Sequence, residues 1–162
     1  MNYLKNHIYI YTDGGIKNNG KEDSIGSHAY ILLLNDKKFC HSEAQRTSSS
    51  NREEMLAILH ALQKLNRKDL PVTIFSDSQY CVNGLNLWMK NWKKKNWKSS
   101  TNDPVKNRDL WEQLDEIITE FDDLTVLWVR GHDGNEYNEE CDRMCQQAKL
   151  DFEERINQNK NE

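Results

Sequence analysis

The chain has 162 residues, of which 36% are hydrophobic and 30% charged, and a formal net charge of −4 at pH 7. That length suits one domain with a substantial core, and no run approaches the ~20 consecutive apolar residues of a membrane-spanning helix. The acidic balance alone speaks mildly against a nucleic-acid partner, whose binders are expected to be basic.

Met1–His7 is polar and lacks the charged-then-apolar order of a secretory leader, so a cytoplasmic location is expected. His7–Asp13 (HIYIYTD) alternates and is rich in β-branched and aromatic residues, the pattern of a strand. Gly14–Ser24 carries Gly, Asn, Lys and Asp and reads as a loop. Ile25–Leu34 and Lys37–Gln45 read as strands around an Asn35-Asp36 turn, so the first three strands form an antiparallel meander. The period then changes. Ser50 and Glu53 form a capping box, and Met55, Ile58, Leu59, Leu62 and Leu65 repeat at helical spacing, which predicts a helix over Asn51–Asn66.

Pro71 opens a buried strand, Val72–Ser76, and Ser76 with Gln79 suggests a second capping box for a helix over Asp77–Leu87. Trp88–Lys98 reads as helical and basic, Asn107–Phe121 as a helix with apolar Leu110, Leu114, Ile117 and Ile118, and Leu124–Arg130 as the last strand. Gly131–Tyr137 is a loop and Asn138–Leu150 a final helix. The polar residues from Asp151 onward are expected to fray. This order implies an α/β class: a mixed sheet whose later strands run parallel to the first through right-handed crossovers, with helices on both faces. One domain over residues 1–162 is expected, with its core in residues 7–150.

Asp13 and Asp77 each end a strand. On parallel strands both sit at the carboxyl edge of the sheet, where open α/β sheets place their sites. At about 100° per residue, the apolar stripe of the first helix is centred about 80° from Glu54 and about 180° from Glu53. Glu54 therefore borders the sheet, and Glu53 is expected in solvent as a capping residue. In the last helix Asp142 borders the stripe of Cys141, Cys145, Ala148 and Phe152. Four converging carboxylates repel one another unless cations neutralise them. Hard oxygen ligands suit Mg²⁺, and a pair of ions about 4 Å apart is the recurring device for phosphodiester cleavage. His132 follows the last strand in Arg130-Gly131-His132-Asp133-Gly134 and titrates in the range that suits proton transfer.

Charge is distributed unevenly. Between Trp88 and Arg108 stand Lys90, Lys93, Lys94, Lys95, Lys98, Lys106 and Arg108 against Asp103 alone, a local net of +6 that leaves −10 for the rest. Trp88, Trp92 and Trp97 lie among these lysines. Core anchoring explains one or two of the indoles, and lysines interleaved with aromatics also fit a groove that tracks a nucleic-acid backbone. Cys40, Cys81, Cys141 and Cys145 form no CxxC pair. Two thiolates one helical turn apart are too few for structural zinc, so small core-facing residues in a reducing compartment are expected.

Over residues 7–150 the chain resembles ribonuclease H of the bacterial type 1 class. The matching pieces are TDGG at Thr12–Gly15, SNREE at Ser50–Glu54, SDSQY at Ser76–Tyr80, the basic stretch Trp88–Trp111, WVRGH at Trp128–His132 and NEECD at Asn138–Asp142. The resemblance implies a ribonuclease H-like fold, a five-stranded mixed sheet with strands one to three antiparallel. It implies endonucleolytic cleavage of the RNA strand of RNA–DNA hybrids with two Mg²⁺ ions (Mn²⁺ as a substitute), leaving 5′-phosphate and 3′-hydroxyl ends. It places the metal-binding acids on Asp13, Glu54, Asp77 and Asp142 and the mobile histidine on His132. It places substrate contacts on Ser50, Asn51 and Gln79, on Asn19 in a loop more charged and longer than usual, and on Trp88 with Lys93, Lys94, Lys95 and Lys106. A monomer with no obligate protein partner, no membrane and an RNA–DNA hybrid as partner is expected. Two other readings stand beside it: a non-catalytic hybrid-binding module, which would lack one of the acids, and a related nuclease acting on another duplex.

Overall fold

The alternation that starts at Ile8 becomes the central strand. The computed structural model describes residues 2–17, 24–47, 49–131 and 134–161. In it, β1 (Ile8–Ile16) pairs antiparallel with β2 (Ser24–Leu34) and parallel with β4 (Val72–Ser76). β3 (Lys37–Thr47) extends the meander antiparallel to β2, and β5 (Leu124–Trp128) lies parallel to β4. The order across the five-stranded sheet is β3-β2-β1-β4-β5.

Alternate residues of a strand point to opposite faces. Ile8, Ile10, Tyr30, Leu32, Val72 and Ile74 bury one face under α1 (Ser50–Lys64), α2 (Gln79–Asn83), α3 (Met89–Lys94) and α4 (Arg108–Ile118). Tyr9, Tyr11, Ala29, Ile31, Leu33 and Phe75 bury the other against Cys141 and Cys145 of α5 (Glu136–Lys160). Hydrogen bonds fasten α5 in place: Ser27 Oγ donates to the Cys145 carbonyl (2.8 Å) and Cys141 Sγ to the Tyr11 carbonyl (3.5 Å). Among the described residues no helix is long and apolar enough to cross a membrane.

Several local expectations are corrected. The N-cap of α1 is Ser49, whose hydroxyl accepts from the Arg52 N–H at 3.2 Å, one residue before the expected Ser50. Glu53 is fully buried, not in solvent. It turns toward the sheet, where the His28 ring and the Gln45 amide hold its carboxylate. Hydrophobic-stripe arithmetic cannot see a buried polar partner on another element. The second cap is Ser78, accepting from the Cys81 N–H, and not Ser76.

The expected helices over Asp77–Leu87 and Trp88–Lys98 are instead α2, a π-helical turn (Gly84–Trp88) and α3. Trp111 packs against the bare Cα of Gly84, so the wide turn forms where an indole from α4 lies against the backbone. Beyond α3 the chain reverses through Asn96 and Trp97, both at positive φ. Trp92 and Trp97 pack against the core, while Trp88 keeps 37% of its surface exposed.

Residues after Asp151 do not fray, since α5 continues to Lys160. Gln147 donates to Asp151, and an ion pair from Lys17 to Glu153 ties the polar turns down. Cys40 is exposed on the outer strand, unlike the other three cysteines, which are buried.

A Cβ on Gly84 would overlap the Trp111 ring. Overpacking of this kind costs about 1–3 kcal/mol, so Gly84→Ala should lower the melting temperature by at least about 3 °C. An unchanged melting temperature would show that Trp111 is not held by this contact.

Candidate active site

Asp13 is the sixth residue of β1 and is buried. It shares the Tyr9/Tyr11 face, and Asp77 shares the matching Phe75 face of β4, one residue beyond the Thr12–Ser76 pair of the parallel ladder. The Thr12 hydroxyl donates to the Phe75 carbonyl at 3.2 Å and fastens the two strand ends together. Glu54 arrives from α1 because Gly14 lets the helix in. A Cβ at Gly14 would stand 2.6 Å from the Glu53 carbonyl carbon and 2.6 Å from the Glu54 nitrogen. The first turn of α1 thus lies directly on the end of β1, and only glycine leaves room for it.

Oxygen atoms of Asp13, Glu54 and Asp77 all lie within 4.8 Å of one another. Burial and the Asp77 charge push the Asp13 carboxyl up to about 8, with Asp142 adding to the rise and the Gly14 N–H (2.9 Å to Oδ1) opposing it. Burial, then the charges of Asp13 and Asp77, raise Glu54 as well. Oε2 of Glu54 is buried with no hydrogen-bond partner among the described residues. Asp142 is half-buried on α5 beside Cys141, outside the tight group of three but close enough for its charge to act on Asp13.

A set of hard oxygen donors, crowded and partly desolvated, fits a divalent cation such as Mg²⁺. With no cation to offset the repulsion, protons are retained instead. Gly131, whose Cβ would lie 3.1 Å from Asp77 Oδ2, brings the chain after β5 against the same cluster. His132 and Asn19 lie outside the described residues.

The expected substrate contacts lie on several elements. Ser50 and Asn51 stand at the start of α1, Ser50 exposed and Asn51 half-buried, and Gln79 is exposed at the start of α2. Lys94, Lys95 and Lys106 are exposed, whereas Lys93 pairs with Asp115 at 3.1 Å. Trp88, Asn91, Trp92, Lys95, Lys98 and Ser99 line a groove of about 380 Å³.

Two features escaped the sequence reading. Arg52 grips Asp109 with both guanidinium nitrogens (3.0 and 2.8 Å) and also donates to Asn107. The Tyr80 hydroxyl accepts from Asn107 and Trp111. Together they brace the basic segment against the N-terminus of α1. Lys149, two helical turns beyond Asp142 on α5, places its ammonium beside Gly15. The spacing of seven from Asp142 was the available signal.

A family profile for RNase H matches residues 5–149. The chain is 38% identical over 146 residues to a ribonuclease H of Clostridium botulinum, covering 90% of this chain and 97% of that one. It is 41% identical over 146 residues to a ribonuclease H of Francisella philomiragia, covering 89% and 91%. Among solved structures it is similar to LC9-RNase H1, a type 1 RNase H with the type 2 active-site motif (TM-score 0.78, 20% identity, 91% of this chain and 74% of that one). It is also similar to a foamy viral protease-reverse transcriptase in complex with RNA/DNA hybrid (TM-score 0.78, 16% identity, 88% and 20%).

The raised Asp13 has a consequence for stability. In the folded protein this group holds a proton that the unfolded chain releases above about pH 4. Metal-free stability therefore falls as pH rises from about 4 to about 8. Asp13→Asn removes that penalty, so in EDTA the variant should melt several degrees above wild type at pH 8, with the gap closing toward pH 4. Equal melting temperatures across this window would show that Asp13 ionises without penalty.

Proposed function

The chain belongs to the ribonuclease H family, and on that premise we propose that it is an endonuclease of the type 1 class, hydrolysing the RNA strand of RNA–DNA hybrids to 5′-phosphate and 3′-hydroxyl ends. The observation that carries the proposal is the convergence of Asp13, Glu54 and Asp77 within 4.8 Å at the carboxyl edge of the sheet, with Asp142 adjoining. Such a cluster is costly to the fold and suits a site where divalent cations meet a phosphodiester.

Asp13, Glu54, Asp77 and Asp142 would hold two Mg²⁺ ions, or Mn²⁺ in their place. Bound there, the ions supply positive charge that acidifies an attacking water and offsets charge on the leaving 3′ oxygen. Asp13, flanked by the other acids, would serve as a ligand at this centre. His132 accepts or delivers the proton as the 3′ oxygen departs. Glu54 and the amides of Asn51 and Gln79 contact 2′-hydroxyls, the groups that distinguish RNA from DNA, and Ser50 and Asn19 are further substrate contacts. Trp88, Lys94, Lys95 and Lys106 hold phosphates of the DNA strand without reading sequence. Lys93, engaged with Asp115, contributes less to that contact.

With a labelled hybrid and Mg²⁺, wild type should cut RNA only in the hybrid. Asp13→Asn should lose cleavage by at least ~10³-fold while binding the hybrid within a few-fold of wild type. Cleavage by this variant at the wild-type rate would sink the metal reading. The triple change of Lys94, Lys95 and Lys106 to Ala should weaken binding and reduce the log–log salt slope by about one per lysine. A slope equal to that of wild type would assign these lysines to solvation alone.

A further inference from the structure

A second cluster of metal-ligating side chains lies on the sheet face beneath α1, built from residues that the cleavage chemistry does not use. His28 (β2) and Glu43 (β3) are directly opposed in the antiparallel ladder and point to the same face. His60 of α1 comes down on them. His28 Nε2 lies 3.0 Å from Glu43 Oε1 and 3.0 Å from His60 Nδ1, and His60 Nδ1 lies 3.1 Å from the same Glu43 oxygen. Three atoms facing one another so closely make a poor hydrogen-bond triangle, because a nitrogen–nitrogen edge and a shared acceptor cannot all be satisfied by the available protons. They make a good metal face. A point just out of their plane is ~2.0–2.1 Å from all three, the length of Zn–N and Zn–O bonds.

The surroundings are arranged as a ligand site requires. Glu53, fully buried, lies 3.1 Å from His28 Nδ1, and in the tautomer that donates Nδ1–H to this carboxylate the Nε2 lone pair faces Glu43 and His60. A carboxylate behind a ligating imidazole is the usual outer partner of a zinc histidine. Glu53 is itself fixed by the Gln45 amide at 2.9 Å. The absence of a side chain at Gly26 makes room for it, since a Cβ there would meet Glu53 Cγ at 2.9 Å. Burial, then the charge that His28 carries when protonated, holds His60 below its ordinary range. Burial acts to raise Glu43, but the charges that His28, His60 and His41 carry when protonated outweigh it and hold the carboxyl below its ordinary range. His41 approaches the other Glu43 oxygen at 3.7 Å. Entry is open from outside, because Glu43 and His60 keep 45% and 32% of their side-chain surface exposed while His28 is fully buried.

We propose that His28, Glu43 and His60 form a Zn²⁺ site separate from the carboxylate centre, with three protein ligands and a fourth position left to water. Two imidazoles and one carboxylate favour Zn²⁺ over Mg²⁺, which prefers oxygen alone. Bound there, the ion clamps β2 and β3 to α1, the helix that carries Glu54.

The test uses the full chain without a histidine tag, loaded with ZnCl₂ in the presence of excess MgCl₂ and then dialysed. Wild type and Asp13→Asn should each retain about one equivalent of zinc by elemental analysis and gain at least ~3 °C in melting temperature from it. Glu43→Gln and His60→Gln, changed at part-exposed positions, should retain less than a tenth as much and gain nothing. Co²⁺ in place of Zn²⁺ should give the intense visible bands of a tetrahedral site in wild type and Asp13→Asn only. Zinc retained equally by Glu43→Gln and His60→Gln, zinc lost in Asp13→Asn, or no zinc retained by wild type would each overturn the proposal.

Discussion

The structure turns on the crowding of carboxylates at one end of β1 and β4. Asp13 and Asp77 each stand one residue beyond the last parallel pair of β1 and β4, Thr12–Ser76, although β1 itself runs on through the expected loop to Ile16. Glu54 is pressed toward them because α1 rests on the bare backbone of Gly14. Burial and mutual repulsion together drive the Asp13 carboxyl far above its ordinary range. Packing elsewhere has to hold this arrangement in place. The strand ladder, the Thr12–Phe75 bond and the α5 contacts at Tyr11 and Ser27 all act within a few residues of the cluster. A rigid scaffold around a repelling group keeps the oxygens where a cation can use them.

The same logic explains the charge distribution. The body of the protein is acidic partly because its site is acidic, while the positive residues are concentrated between Trp88 and Arg108. That segment is not a loose basic tail. Trp92 and Trp97 pack against the core, Trp111 supports the π-turn at Gly84, and Arg52 and Tyr80 brace its base. Lysines carried on such a base present their charge at a fixed place relative to the acids, so the distribution of charge matters more than its sum. Helix α1 connects the two regions: its adjacent glutamates serve different clusters, Glu54 the carboxylates and Glu53 the histidines of the sheet face.

Strand alternation, helical spacing and the motif set at Asp13, Glu54, Asp77 and Asp142 were enough to read the α/β class and the family membership. They also indicated the sheet edge on which the acids meet. What stayed hidden depends on contacts distant in sequence. Glu53 looked like a solvent residue because its own helix offers no reason to bury it; His28 supplies the reason from another strand. The π-turn answers to Trp111, 27 residues after Gly84. The polar end of α5 is held by Lys17, far upstream. Local pattern fixes periodicity and strand ends well, and it says little about which buried polar group finds which partner.

Proton counting tests the central claim most directly. Calorimetric titration of Mg²⁺ into the metal-free protein at pH 7, repeated in buffers of different ionisation enthalpy, measures the protons displaced on binding. With the Asp13 carboxyl pushed up to about 8 and Glu54 raised beside it, release of at least about one proton is expected, the Asp13 share diminishing above about pH 9. Binding with no proton released at pH 7 would contradict it, since the carboxylates would then be ionised together without cost.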